Sequence, residues 1–166
     1  VSKESSIKKV VKKIKKKKVK IYCLINNAAI DAKVKKNQKI LNSSSFEKVL
    51  LQDWEKHLSV GLTGAMLCSK YFGRMIVSNK SGGVIINVAS DLSVIAPNHR
   101  IYSKGVFKPV MYSVVKHGII GLTKYLATYW NNKRLRCNAI SPGPIQSNQP
   151  KKFIKKLKFQ IPLNRL

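Results

Sequence analysis

Val84-Ile85-Ile86-Asn87-Val88-Ala89-Ser90 is a short, mostly β-branched apolar run, opened by Ser81-Gly82-Gly83 and closed by a hydroxyl. A run this short, apolar at successive positions and flanked by turn residues, predicts a buried strand. Upstream the period changes. Trp54, Leu58, Leu62, Ala65, Cys68, Phe72 and Ile76 recur three or four apart, which predicts a helix from Asp53 to about Ser78. Before it, residues 30–52 are polar and mixed, a loop with one short helical turn, and Ile21 to Ile25 is a second strand ending in Asn26-Asn27-Ala28-Ala29. Residues 2–18 put Ile7, Val10, Val11 and Ile14 at helical spacing among lysines, with Ser2, Ser5 and Ser6 as candidate caps. Downstream, 90–111 is a long connection containing Pro97 and Pro109. Tyr112 to Asn131 is a helix with Val115, Ile119, Leu122 and Leu126 on its apolar side. Arg134 to Ile140 is a third strand, closed by Ser141-Pro142-Gly143-Pro144, and Lys151 to Phe159 is a basic amphipathic stretch. Helix and strand alternate along the chain, the pattern of an α/β fold with a parallel sheet.

At 166 residues the chain supports one core, and a hydrophobic fraction of 44% argues against wholesale disorder. No apolar run approaches the length of a membrane span, and Val1 onward lacks the pattern of a signal peptide. Cys23, Cys68 and Cys137 are scattered, with no pair or histidine at ligand spacing. That spacing predicts no metal site and no disulfide framework, and a cytoplasmic location. The formal charge of +27 comes from 33 basic and six acidic residues, with no acid beyond Asp91. Such a balance raises the prospect of a nucleic-acid or anion binder. Yet arginine, the usual reader of bases and phosphates, occurs only at 74, 100, 134, 136 and 165, and no aromatics interleave Lys15 to Lys18. The charge reads first as lysine on solvated faces and second as a surface for an anionic substrate; no nucleic-acid partner is expected.

Tyr112-Ser113-Val114-Val115-Lys116 places a phenol and an ammonium four residues apart, on one face of a helix. A tyrosine titrates near pKa ~10 and is a poor acid or base at neutral pH, but a nearby cation stabilises its phenolate. That makes proton exchange with a carbonyl or alcohol feasible. Alone the pair is weak evidence. Parallel sheets, however, place ligands at the carboxyl ends of their strands. Asn27, Ser90 and Pro142-Gly143 all lie at such ends, beside the start of the Tyr112 helix.

Taken together, these segments resemble the short-chain dehydrogenase/reductase family, in its single-domain branch. Asn26-Asn27-Ala28-Ala29 is similar to that family's Asn-Asn-Ala-Gly strand end, and Asp53-Trp54 through Leu62-Thr63-Gly64 to the start of its central helix. Tyr112 to Lys116 matches its Tyr-xxx-Lys motif, and Pro142-Gly143-Pro144-Ile145-Gln146-Ser147 the loop at the nicotinamide carboxamide. The resemblance implies part of a doubly wound, Rossmann-type sheet and an NAD or NADP cofactor. It implies catalysis by Ser90, Tyr112 and Lys116, with Tyr112 as general acid/base, Lys116 lowering its pKa and holding the ribose, and Ser90 orienting the substrate. Asn27, Ala28, Tyr112, Lys116, Pro142, Gly143, Ile145 and Ser147 are the implied cofactor contacts. The substrate would be a small molecule with a carbonyl or hydroxyl, and the assembly a homotetramer packed through the helices at 53–78 and 112–131.

Three departures qualify the expectation. The Thr-Gly-xxx-Gly-xGly phosphate loop is absent from these 166 residues, as are the first two strands. Val1 resembles the position just after the family's adenine-contacting aspartate, and Leu166 falls before the last helix and strand. Residues 1–166 are thus expected to form a single incomplete domain, truncated at both ends, that binds NAD(P) poorly and catalyses nothing measurable alone. Gly61 stands where the family has a catalytic asparagine. Finally, 22 positions separate Ser90 from Tyr112, and Ser90 to Pro97 with His99 to Tyr102 resembles members from bacterial surface-sugar and flagellin-glycan pathways. Arg100, Lys104 and Lys108 are candidate receivers of a substrate phosphate or carboxylate. The competing readings are a non-catalytic basic module that binds nucleic acid or another anion, and a degenerate family member.

Overall fold

A computed structural model describes residues 1–31 and 45–166. The lysine-rich opening forms α1 (Glu4–Lys16), followed by β1 (Cys23–Asn26), α2 (Leu51–Leu58), a π-helical turn at Ser59–Thr63 and α3 (Gly64–Val77). Then come β2 (Gly83–Val88), α4 (Val110–Tyr129), β3 (Leu135–Ile140) and α5 (Lys151–Lys158). The strands form a parallel sheet in the order β1-β2-β3, with Asn26 opposite Asn87 and Val88 opposite Ile140. The expected α/β fold is present. Most of the expected 30–52 loop, residues 32–44, lies outside the described residues.

Alternation along each strand decides which side is covered. Leu24, Ile85, Leu135 and Cys137 pack with Ile76 of α3 and Leu126 of α4. Nearer the strand ends, Ala89 joins Ala65, Val115 and Ile119. Ile7 fastens α1 to Leu67 and Cys68 of α3. At alternate positions, Ile25 and Ile140 remain 59% and 51% exposed. The helix expected from the serines begins differently: its cap is Lys3, with no side-chain hydrogen bond from Ser2, Ser5 or Ser6. Glu4, in the first turn, supplies the negative charge that suits a helix N-terminus and also takes Lys70 and Tyr71.

The expected helix over 53–78 starts earlier, at Leu51, and is interrupted by the π-helical turn around buried Gly61. A Cβ at Gly61 would lie 2.5 Å from Val115 Cγ1, so the glycine lets this turn rest directly on α4. A polar seam crosses the sheet beside it. Asn26 Nδ2 donates to Asn87 Oδ1 at 2.7 Å and to Ser69 Oγ at 3.0 Å. Asn87, fully buried, donates through Nδ2 to Thr123 Oγ1 at 2.8 Å, and Thr123 Oγ1 donates to Ile119 O at 2.7 Å. A buried amide with its polar atoms engaged tolerates few other registers. The seam therefore fixes the strand ends just before Asn27 and Ser90.

Candidate active site

Backbone contacts draw the ends of β2 and β3 together. Ala89 N donates to Ile140 O at 2.8 Å, Asp91 N donates to Pro142 O at 3.0 Å, and the hydroxyls of Ser93 and Ser141 meet at 3.3 Å. This ties Pro142-Gly143 to Ser90-Asp91. Ser90 is buried and extended; its Oγ donates to Asp91 Oδ1 at 2.7 Å and accepts from Leu92 N at 3.2 Å. Ser90 lies close enough to Tyr112 to influence its ionisation.

Tyr112 and Lys116 lie in the first two turns of α4, where Pro109 at the cap gives up no helical donor. Lys116 is buried, and its ammonium donates to Val88 O at 2.7 Å. Its Nζ stands 5.7 Å from the Tyr112 ring centroid. Burial pushes Tyr112 above the ordinary tyrosine range, the neighbouring Ser90 hydroxyl opposes the rise, and Asp31 and Asp91 add to it. Burial likewise lowers Lys116. The expected lowering of Tyr112 by Lys116 is thus outweighed here: the ammonium is turned to a carbonyl, and the loss of water around the phenol dominates.

The remaining expected contacts divide into two groups. Asn27 and Ala28 border a cavity of about 70 Å³ with Ala65 and Cys68, at the end of β1. Ile145 and Ser147 are exposed in a turn stapled by Gln149, whose Nε2 donates to Ile145 O at 3.0 Å and whose Oε1 accepts from Ser147 N at 2.6 Å. Ser147 does not cap α5; Pro150 does. Of the three candidate anion receivers, Lys104 is exposed and Arg100 lines a separate cavity. Lys108 instead lies over the Tyr112 ring, its Nζ 3.6 Å from the centroid, and donates to Asp31 at 2.8 Å. Spacing could not reveal that pair, because 77 positions separate its members.

A family model described as Enoyl-(Acyl carrier protein) reductase matches residues 1–166. A crystal structure of a short chain dehydrogenase from Leptospira borgpetersenii with bound NAD+ superposes with a TM-score of 0.85 at 31% identity, covering 99% of this chain and 59% of that one. The chain belongs to the short-chain dehydrogenase/reductase family. An uncharacterized oxidoreductase of Thermotoga maritima is 34% identical over 156 residues, 92% of this chain and 52% of the relative. An NAD-dependent glycerol dehydrogenase of Listeria innocua is 32% identical over 152 residues, 92% of this chain and 52% of that one. The chain spans about half the length of these curated relatives.

As a short-chain dehydrogenase/reductase, the chain has residues that suit the nicotinamide half of a dinucleotide. Lys116 has three donors and gives one to Val88 O, and a Cβ placed on Gly143 would meet nothing within 4 Å, so the rim there is open. The adjacent glycines Gly82 and Gly83 are not a phosphate cradle. They open β2, at the end of the sheet remote from Tyr112, and a Cβ at Gly82 (φ +68°) would collide with Arg134 O. Among the described residues, no cluster of histidine, cysteine or carboxylate could hold a metal, and no helix is long and apolar enough to cross a membrane.

Proposed function

We propose that these residues are the catalytic part of an NAD(P)-dependent oxidoreductase that interconverts a carbonyl and an alcohol. When bound, the nicotinamide supplies or accepts the hydride. Tyr112 holds or releases the proton at the substrate oxygen, Ser90 orients that oxygen, and Lys116 holds the ribose and favours the phenolate. Asn27, Ala28, Pro142, Gly143, Ile145 and Ser147 are the proposed cofactor contacts. The observation that carries the reading is the meeting of Ser90, Tyr112 and buried Lys116 at the carboxyl ends of β2 and β3. Residues 1–166 are proposed as one unit of that domain, with turnover belonging to a chain of the relatives' length and none measurable in this piece.

The substrate is proposed to be a polyol, sugar or sugar phosphate used in surface-glycan synthesis. Similarity to a glycerol dehydrogenase supports the polyol. A cavity of about 870 Å³ between residues 98–101 and α5 supports the anionic group: Arg100, Lys152, Lys155 and Lys156 line it with Ile101 and Phe159, and no carboxylate does. Tyr102, next in the chain to Ile101 of this cavity, has its ring 5.3 Å from Phe153 of α5. A cytoplasmic homotetramer is proposed, packed through α2–α3 and α4, where Met66, Tyr125 and Tyr129 are exposed.

The polypeptide encoded by the complete reading frame provides the test. With NAD+ or NADP+ it should oxidise a polyol or its phosphate, and Tyr112→Phe should lower kcat by at least about 10²-fold, the usual reach of a general acid/base. Equal turnover by Tyr112→Phe would refute the assignment.

A further inference from the structure

Among the described residues, the cation nearest the Tyr112 ring is not the motif lysine. Lys108 Nζ lies 3.6 Å from the ring centroid, against 5.7 Å for Lys116. Lys108 is also well enclosed, its side chain 12% exposed, and its ammonium donates to Asp31 Oδ1 at 2.8 Å, while Asp31 is 45% exposed. The ion pair thus joins the segment after β1 to the turn before α4, and one of its charges rests on the phenol. A cation over an aromatic face is attracted to the ring, and more strongly once the ring carries the negative charge of a phenolate.

We propose that Lys108 and Asp31 are an opposed pair of positioning residues that set the ionisation of Tyr112, the lysine favouring the phenolate and the aspartate resisting it. This rests on reading Tyr112 as the proton-exchanging group. Among the described residues, the other groups that face the phenol are few. Ser90 and Asp91 approach from the end of β2, Tyr102 from the connection, and Lys116 from α4 itself. Asp31 and Asp91 both raise Tyr112. Lys116 is engaged by Val88 O, and Lys108 lowers it in turn, so the two ammoniums share one electrostatic field. Without Lys108, Tyr112 would face two carboxylates with its motif lysine directed elsewhere.

The test is the titration of Tyr112 in the 166-residue chain, followed by ¹³C NMR of the tyrosine rings, its resonance assigned by its loss in Tyr112→Phe. At a fixed pH below the midpoint, Lys108→Met should reduce the phenolate fraction about tenfold, and Asp31→Asn should raise it by about the same factor. Lys108→Arg should restore the wild-type titration. Opposite signs are the signature, because a purely structural tie would shift Tyr112 the same way whichever end is cut. Shifts of one sign, or an unchanged titration in Lys108→Met, overturn the proposal. Should Lys108→Met unfold, the sign in Asp31→Asn decides, since that side chain is exposed enough to change without loss of packing. The titration needs no turnover, so opposed shifts in a chain whose complete form is inactive would keep the pair and remove the oxidoreductase reading.

Discussion

Lys116 and Lys155 lie on helices of the same strongly basic chain, yet their surroundings have little in common. Lys116 is buried in α4, donates to Val88 O and stands beside Tyr112, while its neighbour Lys108 is shared between Asp31 and the phenol ring. Lys155 is exposed on α5, in a cavity lined by other cations and no carboxylate. Burying an ammonium is costly unless a partner meets it, so a buried and partnered lysine marks a place where the fold has committed a charge to a task. Exposed lysines cost little and accumulate. The +27 total therefore says less about function than the location of two of its members.

Turnover should separate the two regions most widely. In the complete protein, Lys116→Met should lower kcat by about 10²-fold or more, whereas Lys155→Met should raise KM for a phosphorylated substrate several-fold with kcat little changed. Steady-state kinetics on phosphorylated and neutral polyols would check both. Equal losses of kcat would abolish the distinction.

Stability comes next. Asn87→Leu should cost about 2–3 kcal/mol in urea unfolding, because buried Thr123 and half-buried Asn26 lose their shared partner. Lys152→Ala on α5 should stay within about 0.5 kcal/mol of wild type. Gly61→Ala should cost about 1–2 kcal/mol, since the clash with Val115 outweighs the gain in helix propensity.

The smallest effect is a pH slope. Burial pushes Tyr102 to about 12 and Cys137 to about 11. Both groups ionise earlier when unfolding exposes them, at about 10 and about 8.5. Above about pH 9 the unfolded chain therefore loses protons first, and stability falls as pH rises through the folded values. Tyr102→Phe should flatten that fall between about pH 10 and 12 in unfolding melts under reducing conditions.

The sequence made the strands legible because each is a short apolar run closed by turn residues, and the alternation of periods then left one sheet type. Tyr112 and Lys116 were legible because a helix converts four positions into one face. The π-helical turn was not, since Gly61 reads as a missing side chain until Val115 is seen against it. Nor was Asn87, a polar residue inside an apolar strand whose partners come from β1 and α4. The Lys108–Asp31 pair was hidden for the same reason. Contacts across 77 positions are set by packing and leave no local pattern.

Binding of β-nicotinamide mononucleotide to the ¹⁵N-labelled 166-residue chain tests the central claim most directly, because it asks only for the half-site proposed for these residues. Saturable shifts should appear at Ser90, Lys116 and Gly143, weaken in Lys116→Met, and exceed those along α1 and α5. Shifts confined to the lysines of α1 and α5, and abolished by salt, would contradict the account and leave only a basic surface.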